Sequence, residues 1–175
     1  MARIAVIGIG NVLTGDDAVG PTVVKLLEAA YAPHGDVLVL DGGTPGLELT
    51  SFFSGLEAVV LVDALKAKGT PGELRILGKE ELLAKRPVLA TGPHEPGVRE
   101  ALLQSAFAGV APRVARLVGI VVGSVETGIG LTPAVRATLP RAVAAVRDEL
   151  AALGIVLRER VPPGVPDLWR EKPTS

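Results

Sequence analysis

Three short β-branched runs, RIAVIG at Arg3–Gly8, DVLVLD at Asp36–Asp41 and EAVVLVD at Glu57–Asp63, are separated by stretches of helical spacing. Each run is apolar almost throughout rather than alternating, so both faces of the strand must be covered. Between the first two, Val19, Val23, Leu26, Leu27 and Ala30 fall on one helical face, Lys25 and Glu28 lie on the other, and Pro21 sits in the first turn. Pro33 and Gly35 close that helical region, and GGTPGLELTSFF turns tightly into a second short helix that stops near Gly55. Strand, helix, strand, helix, strand with short connections calls for parallel strands joined by right-handed crossovers.

The remainder extends the same plan. Glu73–Leu77 (ELRIL) and Arg86–Ala90 (RPVLA) are predicted strands, the first of open direction, with a helical turn over Lys79–Lys85. Glu95–Ala108 has helical periodicity through Val98, Leu102, Leu103 and Phe107, and Ala115–Val122 is a β-branched strand. Pro133–Leu153 is the last long helix, with Thr132 placed as its cap and Pro133 at its first position. The fold class expected is therefore α/β: a three-layer sandwich with a twisted, mostly parallel central sheet and helices on both faces. Residues 1–155 form one domain, a size that suits a chain of 175 residues. Residues 156–175, rich in proline and charge, are read as an extended or disordered tail, with Trp169 as the side chain able to dock it.

Composition removes whole classes of function. The formal charge is −1 with both signs interspersed, so no basic stripe exists to neutralise a phosphate backbone, and a nucleic-acid partner is not expected. No stretch approaches the roughly 18 uninterrupted apolar residues of a membrane span, and MARIAVIGIGN reads as a first strand rather than a signal peptide. The expected location is cytoplasmic, and the expected state a monomer. There is no cysteine, which excludes disulfides, zinc–thiolate sites and cysteine nucleophiles. With two histidines, imidazole chemistry is confined to His34 and His94.

The chemistry concentrates in GIGNVLTGDDAVG, Gly8–Gly20. Gly8 and Gly10 open like a dinucleotide-binding turn, and Asp41 ends the second strand where a ribose-binding acid belongs. The third glycine of that pattern is missing, since Leu13 holds its place, and the helix begins about ten residues after Gly8, too late to cradle a pyrophosphate. Asp16 and Asp17 would face the phosphates and repel them. This loop suits a cation better than an anion.

In an open parallel sheet, functional groups gather beyond the carboxyl ends of the strands. Asp17 follows the first strand, Asp63 ends the third, and His94 lies just past Arg86–Ala90 in ATGPHEPG. Two carboxylates and one imidazole suit a divalent transition metal and leave positions open for substrate or water. Plainer roles stand beside these: Asp16 as a helix N-cap, Asp17 as a dipole-stabilising charge, Asp63 as a turn residue, His94 as a loop histidine. His34 is read as structural, Asn11 as a turn former, and Gly42, Gly43 and Gly46 as serving backbone geometry.

Taken together, these segments resemble the hydrogenase maturation endopeptidases. GIGNVLTGDDAVG is similar to that family's glycine–asparagine loop with its acidic pair, DGGTPGLEL to its second glycine-rich segment, and VVLVDAL to its strand-borne aspartate. TGPHEPG supplies a histidine, and VETGIGLTPAVRATLPRAV resembles the segment entering the last helix. The match runs from about Ile4 to Leu153. Ala18 stands where many members carry glycine.

The resemblance implies a phosphorylase/hydrolase-like sheet between helices. It also implies an enzyme that removes a short C-terminal peptide from the nickel-loaded precursor of a nickel–iron hydrogenase large subunit. Asp17, Asp63 and His94 map onto the metal-contacting and catalytic positions, with nickel supplied by the substrate and no organic cofactor. Asp41, Gly42, Gly43, Thr44 and Gly46 would line the groove for the C-terminal extension. Two alternatives remain open at this level: a non-catalytic checkpoint that binds the nickel-loaded precursor, and a nucleotide-binding α/β module.

Overall fold

The computed structural model describes residues 3–45, 48–84, 97–123 and 125–169. Five strands form one sheet in the order β2-β1-β3-β5-β4. They are β1 (Ile4–Ile9), β2 (Val37–Gly43), β3 (Ala58–Leu65), β4 (Leu74–Gly78) and β5 (Val114–Val121). β1 pairs in parallel with β2 and β3, and β3 with β5. β4, whose direction the sequence left open, runs antiparallel to β5. Its approach from β3 is too short for the crossover a parallel strand requires. The predicted strand Arg86–Ala90 lies outside the described residues.

The helices are α1 (Val19–Ala30), α2 (Leu49–Phe53), α3 (Lys79–Leu83), α4 (Val98–Phe107) and α5 (Pro133–Ala152). They cover both faces. Val6, Val60 and Val62 point toward α1 and α5, where they meet Val23, Leu27, Val146 and Leu150. Ile7, Leu61 and Leu65 point the other way, onto Phe53 from α2 and Leu102 from α4. The period-two alternation along β1 and β3 thus feeds two separate cores. Each fully buried Leu, Ile or Phe contributes roughly 1.5–3 kcal/mol to holding the layers together.

The chain moves from β1 leftward to β2, then jumps back across β1 to β3. Right-handed crossovers in opposite directions put α1 and α2 on opposite faces. Between β1 and β3 the sheet therefore has a topological switch point, open at the carboxyl ends of both strands.

Past α5 the chain folds back along α1. Glu159 bridges Tyr31 in antiparallel fashion, Ala32 N–H donates to the Arg158 carbonyl, and Gly164 N–H donates to the Ala29 carbonyl. Arg160 Nε donates to the carbonyls of Glu28 and Tyr31, each at 3.0 Å, at the open C-terminus of α1. Leu168 and Trp169 reach the far end of α1, where they share a cavity of about 90 Å³ with Val12, Ala18 and Leu131. As far as Trp169 the tail is extended and docked.

Candidate active site at the sheet switch point

The Gly–Asp loop leaves β1 under tight backbone constraint. Gly10 has φ of 143°, and a Cβ there would lie 1.8 Å from the Asp17 carbonyl oxygen. Gly20, in the first turn of α1, packs so closely on the sheet that a Cβ would lie 2.3 Å from the Ile9 carbonyl oxygen and 2.4 Å from that of Val62. Glycine is required at both places: at Gly10 for the left-handed backbone, at Gly20 for the close approach. Asn11 acts as the predicted turn former, its Oδ1 accepting from Leu13 N–H at 2.9 Å.

A 3-10 turn over Gly15–Ala18 carries both aspartates, and α1 begins only after it. The N-terminus of α1 is therefore not presented to a ligand as a bare anion cradle. The two carboxylates have different surroundings. Asp16 is 0% exposed, and its oxygens accept from the Thr132 N–H at 2.7 Å and the Thr132 hydroxyl at 2.9 Å. The expectation that Asp16 caps the following helix is corrected: α1 has Ala18 at its N-cap and no side-chain cap. Thr132 holds the N-cap of α5 as predicted, but makes no side-chain cap bond, because its hydroxyl is engaged by Asp16. This contact spans 116 residues, and local capping rules carry no trace of it.

Asp17 is half-buried and accepts from the Asn11 N–H at 2.7 Å. Asp63 does not end β3, as the sequence suggested; the strand continues to Leu65 in register with Val121. The last pairing of β3 with β1 is Gly8 with Val62, so Asp63 is the first residue of β3 past β1, at the mouth of the switch-point crevice. Its Oδ1 accepts from the Ala64 N–H at 2.8 Å. Burial holds the Asp63 carboxyl well above the usual carboxylate range, and the negative charge of Asp17 pushes it further the same way. The Ala64 N–H and the Lys66 ammonium oppose the shift without cancelling it. Lys66, not singled out from the sequence, thus belongs to the electrostatics of the site.

On the other side of β1 the pairing slips, with Gly8 opposite Asp41 and Ile9 opposite Gly43, leaving Gly42 as an extra residue. Such a bulge bends the strand end. It brings the Gly43 carbonyl onto the Gly10 N–H at 2.7 Å and ties the second glycine-rich segment to the Gly–Asp loop. Asp41 is exposed, its Oδ1 accepting from Gly43 N–H at 3.0 Å, and Thr44 is exposed just beyond. Of the predicted site residues, Asp17, Asp63, Asp41, Gly42, Gly43 and Thr44 lie at this end of the sheet. His94 and Gly46 lie outside the described residues. Among the described residues no three His, Cys, Asp or Glu side chains converge as a metal site. His34 is remote, accepting from Asp36 N–H through Nδ1 at 3.2 Å.

Comparison with known proteins bears on this geometry. Residues 21–149 match the hydrogenase maturation protease (HycI) family model. The chain belongs to the hydrogenase maturation protease family. It is 37% identical over 157 residues to the hydrogenase 2 maturation protease of Escherichia coli, covering 87% of this chain and 93% of that one. The hydrogenase expression/formation protein HupD of Rhizobium leguminosarum is 30% identical over 159 residues, covering 90% of this chain and 79% of its own. Among solved structures, the hydrogenase maturating endopeptidase HybD from E. coli superimposes with a TM-score of 0.83 at 35% identity, covering 91% of this chain and 99% of that one. A hydrogenase 2 maturation peptidase from a Thaumarchaeota archaeon gives 0.65 at 30% identity, covering 85% and 98%. The protease is thus a peptide hydrolase on an α/β sheet, and the nucleotide-binding alternative falls away.

Proposed function

We propose that the protease removes a short C-terminal peptide from the nickel-loaded precursor of a nickel–iron hydrogenase large subunit. The observation that carries this reading is the carboxylate pair of Asp17 and Asp63 at the switch point. Burial, and then the negative charge of Asp17, raise the proton affinity of the Asp63 carboxyl, and a cation brought against the pair would answer that charge. In the free enzyme the same two causes favour the neutral form of Asp63. When the loaded precursor docks, Asp17 and Asp63 would contact the nickel it carries, with His94 as the third contact. The cysteine-free chain leaves any thiolate ligation of the nickel to the substrate.

The C-terminal extension then runs past the bulged segment Asp41–Thr44, where exposed backbone and the absence of bulky side chains let a peptide lie close. Hydrolysis needs a deprotonated water and a polarised carbonyl. Nickel would supply the first by lowering the pKa of a bound water, or, in the alternative aspartic-type route, Asp17 or Asp63 would act as general base. Asp41, turned into its own loop through Gly43, is the weaker candidate.

The test is intact-mass analysis of the precursor, nickel-loaded and metal-free, incubated with the protease. Loss of a C-terminal peptide from the loaded form alone supports the reading. Cleavage of both forms discards nickel gating and keeps the peptidase. A loaded, folded precursor left uncut by this enzyme discards the substrate assignment.

A further inference from the structure

The Gly–Asp loop is stitched to the segment entering α5. Gly15 N–H donates to the Gly128 carbonyl at 2.9 Å, and Gly128 N–H donates to the Leu13 carbonyl at 2.8 Å. Beside these, the buried Asp16 carboxylate takes both donors of Thr132. A buried carboxylate is costly unless its charge is answered. Here the answer comes from the N-terminus of a 20-residue helix, whose dipole favours negative charge. With no exposed surface and both oxygens engaged, Asp16 is not available to a ligand. Yet it is the immediate neighbour of Asp17 in a single 3-10 turn, so whatever fixes Asp16 also fixes the backbone from which Asp17 projects.

We propose that Asp16 is a positioning residue: through Thr132 it locks the 3-10 turn onto α5 and sets where the Asp17 carboxylate stands relative to Asp63. The two adjacent aspartates thereby divide the work, one anchoring and the other facing the crevice. The proposal rests on the reading of Asp17 as a contact residue.

The experiment compares Asp16→Asn, Thr132→Val, Thr132→Ser and Asp17→Asn in the full chain, measuring melting temperature together with kcat and KM for a processed precursor. Thr132→Val keeps the shape and deletes one donor, so it carries the test even where Asp16→Asn fails to fold. Misplacement of a reacting group by about 1 Å costs on the order of a hundredfold, so kcat of folded Thr132→Val should fall roughly ten- to a hundredfold. KM should stay within about twofold, the pattern of an interaction realised in the transition state. Thr132→Ser, which retains the hydroxyl, should recover most of the turnover. Lower melting temperatures with parental kcat in folded Thr132→Val would show that the contact only braces the fold, and would overturn the proposal. Asp17→Asn separates the two levels: parental processing by that variant sinks the site assignment itself, whereas its inactivity beside a fully active Thr132→Val sinks only the positioning role.

Discussion

Asp63 carries a conflict between stability and chemistry. Its carboxyl is raised first by burial and then by Asp17, so ionising it in the folded protein costs more than in the unfolded chain. An acid shifted in this direction contributes stability that is fully present below its ordinary value of 3.8 and is lost as pH rises through the folded value. Asp63→Asn removes that loss. Urea unfolding should show the variant more stable than the parent at pH 7, by a margin that closes as pH falls below the ordinary carboxylate range. Processing should drop to background in the same variant, because a neutral amide at this position neither answers a cation's charge nor takes up a proton as a general base. Equal stability at pH 7 would contradict the burial and repulsion assigned to the pair. Asp17→Asn should likewise abolish processing, and should bring the Asp63 carboxyl down toward its ordinary range by removing the neighbouring charge.

At the scale of elements, the site depends on how closely the Gly–Asp loop folds on itself. Gly10→Ala places a Cβ against the Asp17 carbonyl at a backbone conformation closed to other residues. Strain and overpacking together should cost about 2–4 kcal/mol, read by denaturant midpoint, with processing lost even where the variant folds. The docked tail offers a contrasting case. Arg160 answers carbonyls at the end of α1 from an exposed position, so Arg160→Ala should cost only about 1 kcal/mol in urea unfolding. A loss as large as that of Gly10→Ala would show that the tail is integral to the core and not laid over it.

At the scale of the whole molecule, the crevice follows from strand order. β1 sends its connection to β2 on one side and β3 sends its own toward β4 and β5 on the other, and at the switch point between them Asp17 follows β1 while Asp63 stands on β3 just past its last pairing with β1. The parallel strands were legible because continuous apolar runs need two covered faces. The same logic foretold that the two aspartates would lie at one end of the sheet, Asp17 beyond β1 and Asp63 near the carboxyl end of β3. The direction of β4 was not legible, because a short edge strand carries no mark of its partner. Nor was the extent of β3: Asp63 resembles a strand terminus in composition, and only the ladder to β5 shows the strand continuing.

The amino-acid sequence by itself determined the α/β architecture, the glycines on which the loop turns, and the position of Asp17 and Asp63 at one end of the sheet. These rest on local sterics and on hydrophobic periodicity, which act over a few residues. Only the tertiary structure decided that Asp16 serves α5 rather than α1, that Gly42 is the bulged residue, and that the Asp63 carboxyl is pushed upward. Each depends on which distant segment supplies a donor, a partner strand or a neighbouring charge. Hydrogen bonds and Coulomb forces act through space, and 116 residues of chain separate Asp16 from the donors that hold it.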